Sequence, residues 1–292
     1  MYKAIAANKR NTVLVMAMFL LIIGAIGGVV GYFTESWEVA ALTIGIAAVY
    51  ALIQYFIAAK LAVMMTGGQK IERSDNPRLW DIVENLAISE GLPMPAVYVI
   101  HDPAPNAFAT GRSPKHAVVG ATTGLMDVMD DEELRAVMAH EMGHVKNYDI
   151  RVSMIVFGLV SLIGLLSWMV GRTLMSGGRD RDARVQLIMI VVGLAVMILA
   201  PVFAMIVQMA VSRQREYLAD SSAAMMTRYP EGMIRALEKL KEFGRPMKTE
   251  NPAMEAMFIS NPLKKGFMNR LFSTHPPLEK RIERLTNAKG KF

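Results

Sequence analysis

The sequence predicts a mainly α-helical membrane protein, with four membrane helices in two hairpins and a polar α+β part held on one side of the bilayer. Three observations predict it. Apolar residues make up 53% of the 292 residues and the mean hydropathy is positive, more than a purely water-soluble chain of this length carries. Four stretches, 12–33, 39–59, 152–171 and 187–211, are almost free of charge. Each reaches the ~20 residues that a helix needs to cross about 30 Å of hydrocarbon. Between Lys60 and Asp149 the chain is polar over a length that no connecting loop has, so a folded piece is expected there.

The first apolar stretch follows Lys3, Lys9 and Arg10, as the core of a signal peptide does. It exceeds the roughly 7–15 residues of such a core, no small-residue cleavage pattern follows, and the chain turns at once through "YFTESWE" into the second stretch. It is therefore expected to stay attached. The turn carries Glu35 and Glu38 and no Lys or Arg, while basic residues lie before and after the hairpin. The positive-inside rule then puts the N-terminus and everything after Lys60 in the cytoplasm. The resulting division is a membrane hairpin over 1–60, a cytoplasmic part over 61–151, a second hairpin over 152–211 and a cytoplasmic helical part over 212–292.

Within 61–151, "NPRLWDIVENLAISEGLP" begins with Asn76 as N-cap and Pro77 at the first helical position, runs on with Leu79, Ile82, Val83 and Leu86 at helical spacing, and stops at Gly91. "AVYVIHD", "NAFATGR" and "HAVVGAT" are short β-branched or aromatic runs separated by Pro, Gly and Asn, and predict a small antiparallel sheet. "MDDEELRAVMAHEMGHVKN" predicts a helix whose Asp130 and Glu133 form a capping box. The third and fourth spans are joined by a loop carrying Arg172, Arg179, Arg181 and Arg184. That loop departs from the positive-inside rule, so the hairpin either crosses with the help of Asp180 and Asp182 or dips into the bilayer without crossing; both return the chain to the side it left. Gly193 and Pro201 mark a possible kink, and Gly24 with Gly28 a small-residue packing face. After Val211 the chain is polar and mostly helical, with 16 Lys and Arg against 9 Asp and Glu.

The net charge is +6, and no nucleic-acid motif or aromatic-interleaved basic patch accompanies it. Anionic lipid headgroups are the simpler partner for positive charge beside membrane helices, so no nucleic acid is expected. The absence of cysteine removes disulfides and agrees with a reducing compartment. Eight of the 24 methionines fall in the apolar spans, where soft gap-filling side chains are expected.

The chemistry is carried by His140-Glu141-Met142-Gly143-His144. At 100° per residue the two histidines stand one turn apart on one helix face, so both imidazoles can reach one tetrahedral metal ion. Glu141 lies beside that face, where a carboxylate can approach the water a metal activates without binding the metal itself. Such a site needs a third protein ligand. "SRQREYLADSSAAMM" supplies Glu216, and Asp220 four residues on can take the hydrogen of a histidine's outer nitrogen. Opposed to this, both acids can simply face Arg213 and other cations.

HEMGH followed by "SRQREYLAD", the segment "NAFATG" at 106–111, the closing "STHPPLEKRI" at 273–282, and two pairs of membrane spans in this order resemble the HtpX family. These are membrane-integral zinc endopeptidases related to the CAAX prenyl proteases. The resemblance covers nearly the whole chain. It implies a zincin-like α+β catalytic domain in the cytoplasm and one Zn2+ per chain held by His140, His144 and Glu216. It further implies catalysis by Glu141 at the cytoplasmic face of the inner membrane, and a quality-control role in degrading damaged or misfolded membrane and cytoplasmic polypeptides. The basic loop at 172–184 fits the family pattern least. An even number of crossings is consistent with the ligand set, since it brings both ligand segments to one side of the bilayer.

For the oxyanion of the reaction, His275 is the first candidate donor and Tyr217 the second. Against His275, "THPP" also reads as a helix start with Thr274 as cap and the imidazole exposed. Asn106, Ala107, Phe108 and Ala109 are either a substrate-binding edge strand or an ordinary strand of the sheet. His101 and His116 have no partner at ligand spacing and read as surface or structural residues. Two other functions stay open at this point: a zinc peptidase of narrow specificity, such as a prenyl-peptide processor, and a non-enzymatic membrane scaffold or transporter. For transport, Gln54 and Gln208 are almost the only polar groups within the spans.

Overall fold

The structure is a computed structural model, and it describes residues 2–33, 36–158, 161, 193, 213–249, 252–261 and 275–288. Two long helices, α1 (Tyr2–Phe33) and α2 (Trp37–Thr66), pack along each other as a hairpin. Both extend beyond the expected spans. Among the described residues one stretch is long and apolar enough to cross a membrane, Ile44–Thr66 of α2. On the outer face of α2, Leu42, Ile46, Leu52 and Phe56 stand between 57% and 64% exposed. Its inner end, Ala58, Ala62 and Val63, is buried against Met154, Phe157, Phe108 and Phe258. A left-handed Gly67 (φ 67°) ends the helix, as helix C-termini commonly do. The rest of the 152–171 span beyond residue 158, the 187–211 span apart from Gly193, the basic loop, Gln208 and Thr274 lie outside the described residues.

The sheet is β1 (Gln69–Lys70), β2 (Ala96–Ile100), β3 (Ala107–Gly111) and β4 (Ala117–Thr122), in the order β1-β2-β4-β3. It is mixed, which corrects the expectation of an antiparallel sheet: β1 with β2 and β3 with β4 are antiparallel, but β2 and β4 are parallel. After β2 the chain passes over one position, lays β3 at the edge, and returns through a tight turn to fill the gap, so β4 has to run with β2. Gly120 of β4 faces the Phe108 ring so closely that an added Cβ would sit 2.3 Å from it.

Around the sheet lie α3 (Pro77–Glu90), α4 (Thr123–Val128) and α5 (Asp131–Lys146). The side chain of Asn76 caps α3 by accepting from the Leu79 amide at 3.0 Å, and left-handed Gly91 (φ 61°) ends it. The α5 capping box is complete: Asp130 accepts from the Glu133 amide, and Glu133 accepts from the Asp130 amide, each at 2.9 Å. Asp130→Ala is expected to destabilise the protein by about 0.5–2 kcal/mol, read as a lower unfolding midpoint of the full chain in detergent.

After its first turn α5 is buried on nearly every side, packed against β3, α3 and two later helices, α7 (Arg213–Thr227) and α8 (Pro230–Phe243). Helix α6, described over 149–158, follows α5 directly, and α9 (Leu278–Asn287) packs on α7 and α8. A helix enclosed in this way is ordinarily apolar all round. His140 and Glu141 are instead buried polar groups at its centre, so each needs a partner.

Candidate metal centre

The face of α5 that carries His140 and His144 lies against α7, where Glu216 and Asp220 are likewise one turn apart. Small residues allow the approach: a Cβ at Gly143 would meet Ser222 at 3.5 Å and the Ala219 backbone at 3.7 Å, so the helices are already close. As a result His140 Nε2 and His144 Nε2 are 3.1 Å apart. Glu216 Oε2 lies 3.7 Å from the former and Oε1 3.5 Å from the latter. Ligands bound at roughly 2.0–2.1 Å to a tetrahedral ion stand about 3.3 Å from one another. The three separations straddle that value, so the side chains fit a metal ion without rearrangement.

The outer nitrogens orient the rings. His140 Nδ1 is 2.9 Å from Asp220 Oδ1, and His144 Nδ1 is 3.0 Å from Asp149 Oδ2. Carboxylates there favour Nδ1–H on both rings, so that Nε2 is the atom each ring directs at the shared point, as second-layer partners of metal histidines do. Asp220 is itself gripped by Arg281, which is fully buried: Nε donates to Oδ2 at 2.9 Å and Nη2 to Oδ1 at 2.7 Å. Burial alone would raise the Asp220 pKa, but the Arg281 charge and the hydrogen bonds from His140 and Arg281 together outweigh it and hold it below its usual value. A third guanidinium nitrogen donates to the Ile259 carbonyl at 3.2 Å.

Glu141 is 1% exposed, and its Oε1 has no hydrogen-bond partner among the described residues. Burial pushes its pKa up to about 7. It lines a small pocket with Ala109, His144, Glu216, Phe258 and His275. A buried carboxylate oxygen that faces this pocket and touches no donor is placed to meet something that enters it.

The two Nε2 atoms, so close together, cannot both carry protons. Burial works against a charge on His144, yet its hydrogen bond to Asp149 and the field of Glu216 prevail and raise it to about 9. His140, with burial dominant, is lowered. A metal must therefore displace the His144 proton. Affinity for Zn2+ is expected to fall about tenfold per pH unit from pH ~8.5 to ~6.5, measured by competition with a chelator of known proton affinity. A flat profile would remove the proton from the site.

The structure brings most of the expected site residues together. His275 is not the exposed residue of a helix start: its ring is 9% exposed, Nδ1 lies 3.0 Å from Glu216 Oε2, and Nε2 lies 3.1 Å from the Glu255 carbonyl. Tyr217 is not brought to the site. One residue on from Glu216 it is rotated 100° away, and its ring lies under Arg284, 4.5 Å from the guanidinium carbon. Asn106, Ala107 and Phe108 do belong to the sheet's edge, but the chain covers that edge itself. Ile259 N donates to Ala107 O at 3.0 Å, Phe108 forms an antiparallel bridge with Phe258, and Asn106 Nδ2 donates to Ser260 O at 2.9 Å. An open edge offers unpaired amides and carbonyls to any passing strand, and residues 258–260 satisfy them. Ala109 alone of the four borders the pocket. His101 and His116 are exposed, beside Gln69 and Ser113. Gln54 of α2 donates to Tyr50, which donates to the Gly158 carbonyl, so it joins helices.

Asp149 and Arg281 were not singled out from the sequence. Leu278, Arg281, Ile282 and Leu285 follow helical spacing, so Arg281 occupies a core position of α9, which is a readable sign of a buried, paired cation. Asp149 gives no comparable sign, since its reach to His144 depends on the turn between α5 and α6.

A buried cluster of two histidines and a glutamate, with a free carboxylate beside it, is the site of a metalloprotease, and comparison with known proteins agrees. The model of peptidase family M48 matches residues 73–289. "Protease HtpX homolog" of Tropheryma whipplei (strain Twist) is 53% identical over 292 residues, covering 100% of both chains. The protein of that name from Limosilactobacillus reuteri (strain DSM 20016) is 47% identical over 98% of this chain and 99% of its own. The chain belongs to peptidase family M48. Its fold is shared with the crystal structure of S. mikatae Ste24p, at a TM-score of 0.52 and 19% identity over 98% of this chain and 67% of that one.

Proposed function

We propose that the chain is a membrane-bound zinc endopeptidase of the HExxH-plus-Glu type, with its active site facing the cytoplasm of the inner membrane. The observation that carries this is the spacing of His140 Nε2, His144 Nε2 and Glu216, all of whose ligand atoms lie within 4.8 Å of one another around one point. Zinc in that position supplies Lewis acidity toward a peptide carbonyl and acidifies a water molecule. Glu141, buried beside the pocket with one carboxylate oxygen that meets no donor among the described residues, takes the proton of the attacking water and passes it to the leaving amine. His275 lines the same pocket with Nδ1 on Glu216 and Nε2 on the Glu255 carbonyl, so what it offers negative charge on the carbonyl oxygen is the positive field of its ring. Asp220 and Asp149 keep the histidine rings in place.

Damaged or misfolded membrane and cytoplasmic polypeptides are the proposed substrates, a quality-control role that rests on the resemblance to the HtpX family. The exposed apolar face of α2 and the basic charge after Val211 support attachment to the bilayer and its headgroups. The test is cleavage of unfolded casein by the full chain in detergent, with chelator and after Zn2+ is restored. Activity that disappears and returns supports the reading; a protein that holds one Zn2+ and cuts nothing in several lipid mixtures ends it. A reporter joined after Phe292 tests orientation, and an exterior signal reverses the topology.

A further inference from the structure

We propose that Asn8, on α1 and ahead of the whole peptidase region, is a positioning residue for the metal ligand His144. This rests on the metal-site reading above. Asn8 is 3% exposed and shares a buried face of α1 with Thr12 and Val15, at positions i, i+4 and i+7. Its amide nitrogen donates to Asp149 Oδ1 at 2.6 Å and to the Asn147 carbonyl at 2.9 Å. The other oxygen of the same Asp149 carboxylate meets His144 Nδ1 at 3.0 Å. A continuous path of hydrogen bonds thus leads from α1 to the imidazole.

The geometry around Asn8 explains why an amide stands there. Between its two acceptors lies Tyr148, a non-glycine residue in the left-handed region (φ 61°), which reverses the chain from α5 into α6 and swings Asp149 back beneath His144. Such a conformation costs about 1 kcal/mol or more and needs outside support. One NH2 group with two hydrogens clasps both sides of that turn. On its other side the Asn8 oxygen lies 3.4 Å from Arg215 Nη1, which orients the amide and comes from the residue before Glu216. A hydroxyl or carboxylate at position 8 would lack the second hydrogen. The hydrogen-bonded partners of a metal ligand typically change metal affinity 10–100-fold when removed. Asn8 lies one step further out, so the lower end of that range is expected.

The experiment measures Zn2+ affinity of the full chain in detergent by chelator competition, and the visible spectrum of the Co2+-loaded protein. Asn8→Ala is expected to weaken Zn2+ binding about tenfold and to alter the Co2+ bands. Thr12→Val, on the same buried face but out of reach of Asp149, is expected to leave both unchanged. Should Asn8→Ala not fold, Asn8→Asp keeps the shape while removing the donors, and is expected to weaken binding at least as much. Native-like affinity and spectrum in the Asn8 variant overturn the proposal, as does an equal loss in Thr12→Val. A native protein that binds no Zn2+ overturns the metal reading and this inference with it.

Discussion

Glu141→Gln is expected to lower peptide-bond cleavage by about 10²–10⁴-fold, the usual contribution of a positioned general base, while one Zn2+ per chain stays bound. The substitution keeps volume and shape, and Glu141 is outside the ligand cluster of His140, His144 and Glu216. The same change is expected to stabilise the metal-free protein at neutral pH. Burial raises the folded-state pKa from 4.5 to about 7, so the fold holds the protonated form more readily than the unfolded chain does. The favourable contribution of this group is complete below pH ~4.5 and is lost as pH rises through about 7, a change of a few kcal/mol. Glutamine cannot ionise and avoids that loss. Unfolding midpoints of the metal-free native and variant proteins should therefore coincide near pH ~4.5 and separate toward pH ~7.5, with the variant higher. Lower cleavage with equal midpoints at both pH values would mean that Glu141 is not buried in solution as it is here.

Arg281→Met is expected to destabilise the protein by about 3–5 kcal/mol, because removing one member of a buried ion pair strands the other. Asp220 would keep its contact with His140 but lose both bonds of the guanidinium fork, and Ile259 would lose the donor to its carbonyl. Arg281→Lys restores the charge without the planar fork, so it should recover only part of the loss. Denaturant unfolding of the three proteins measures it. Pairing Arg281→Met with Asp220→Asn provides the sharper check: the double variant should cost clearly less than the sum of the singles, since the stranded carboxylate is gone. Additive losses would mean that the two residues do not act as a pair.

That His140 stands with His144, and Glu216 with Asp220, was legible in the sequence because helical periodicity puts residues four apart on one face; that the two pairs share one point was implied by the resemblance to the HtpX family. The caps at Asn76 and Asp130 were legible for the same local reason. What depended on the path of the chain between elements was harder to read. The direction of β4 follows from where β3 is laid down, not from the content of either strand, so a mixed sheet looked antiparallel. The edge at Asn106 to Phe108 looked open because its cover, residues 258–260, is distant in sequence. Tyr217 was drawn in by its closeness to Glu216, although adjacent residues on a helix diverge. Asp149 meets His144, and Asn8 meets Asp149, only through a left-handed turn that no pattern announces.

Arg281 also bears on timing. In chain order it follows His140, Glu141, Glu216, Asp220 and His275, and it is the counter-charge of Asp220 behind His140, with Glu216 3.9 Å away. Polypeptides emerge from the ribosome from the amino end, and earlier portions begin to fold first. A growing chain that already contains both histidines and Glu216 still lacks this counter-charge, so the centre stays electrostatically unfinished until α9 has been made.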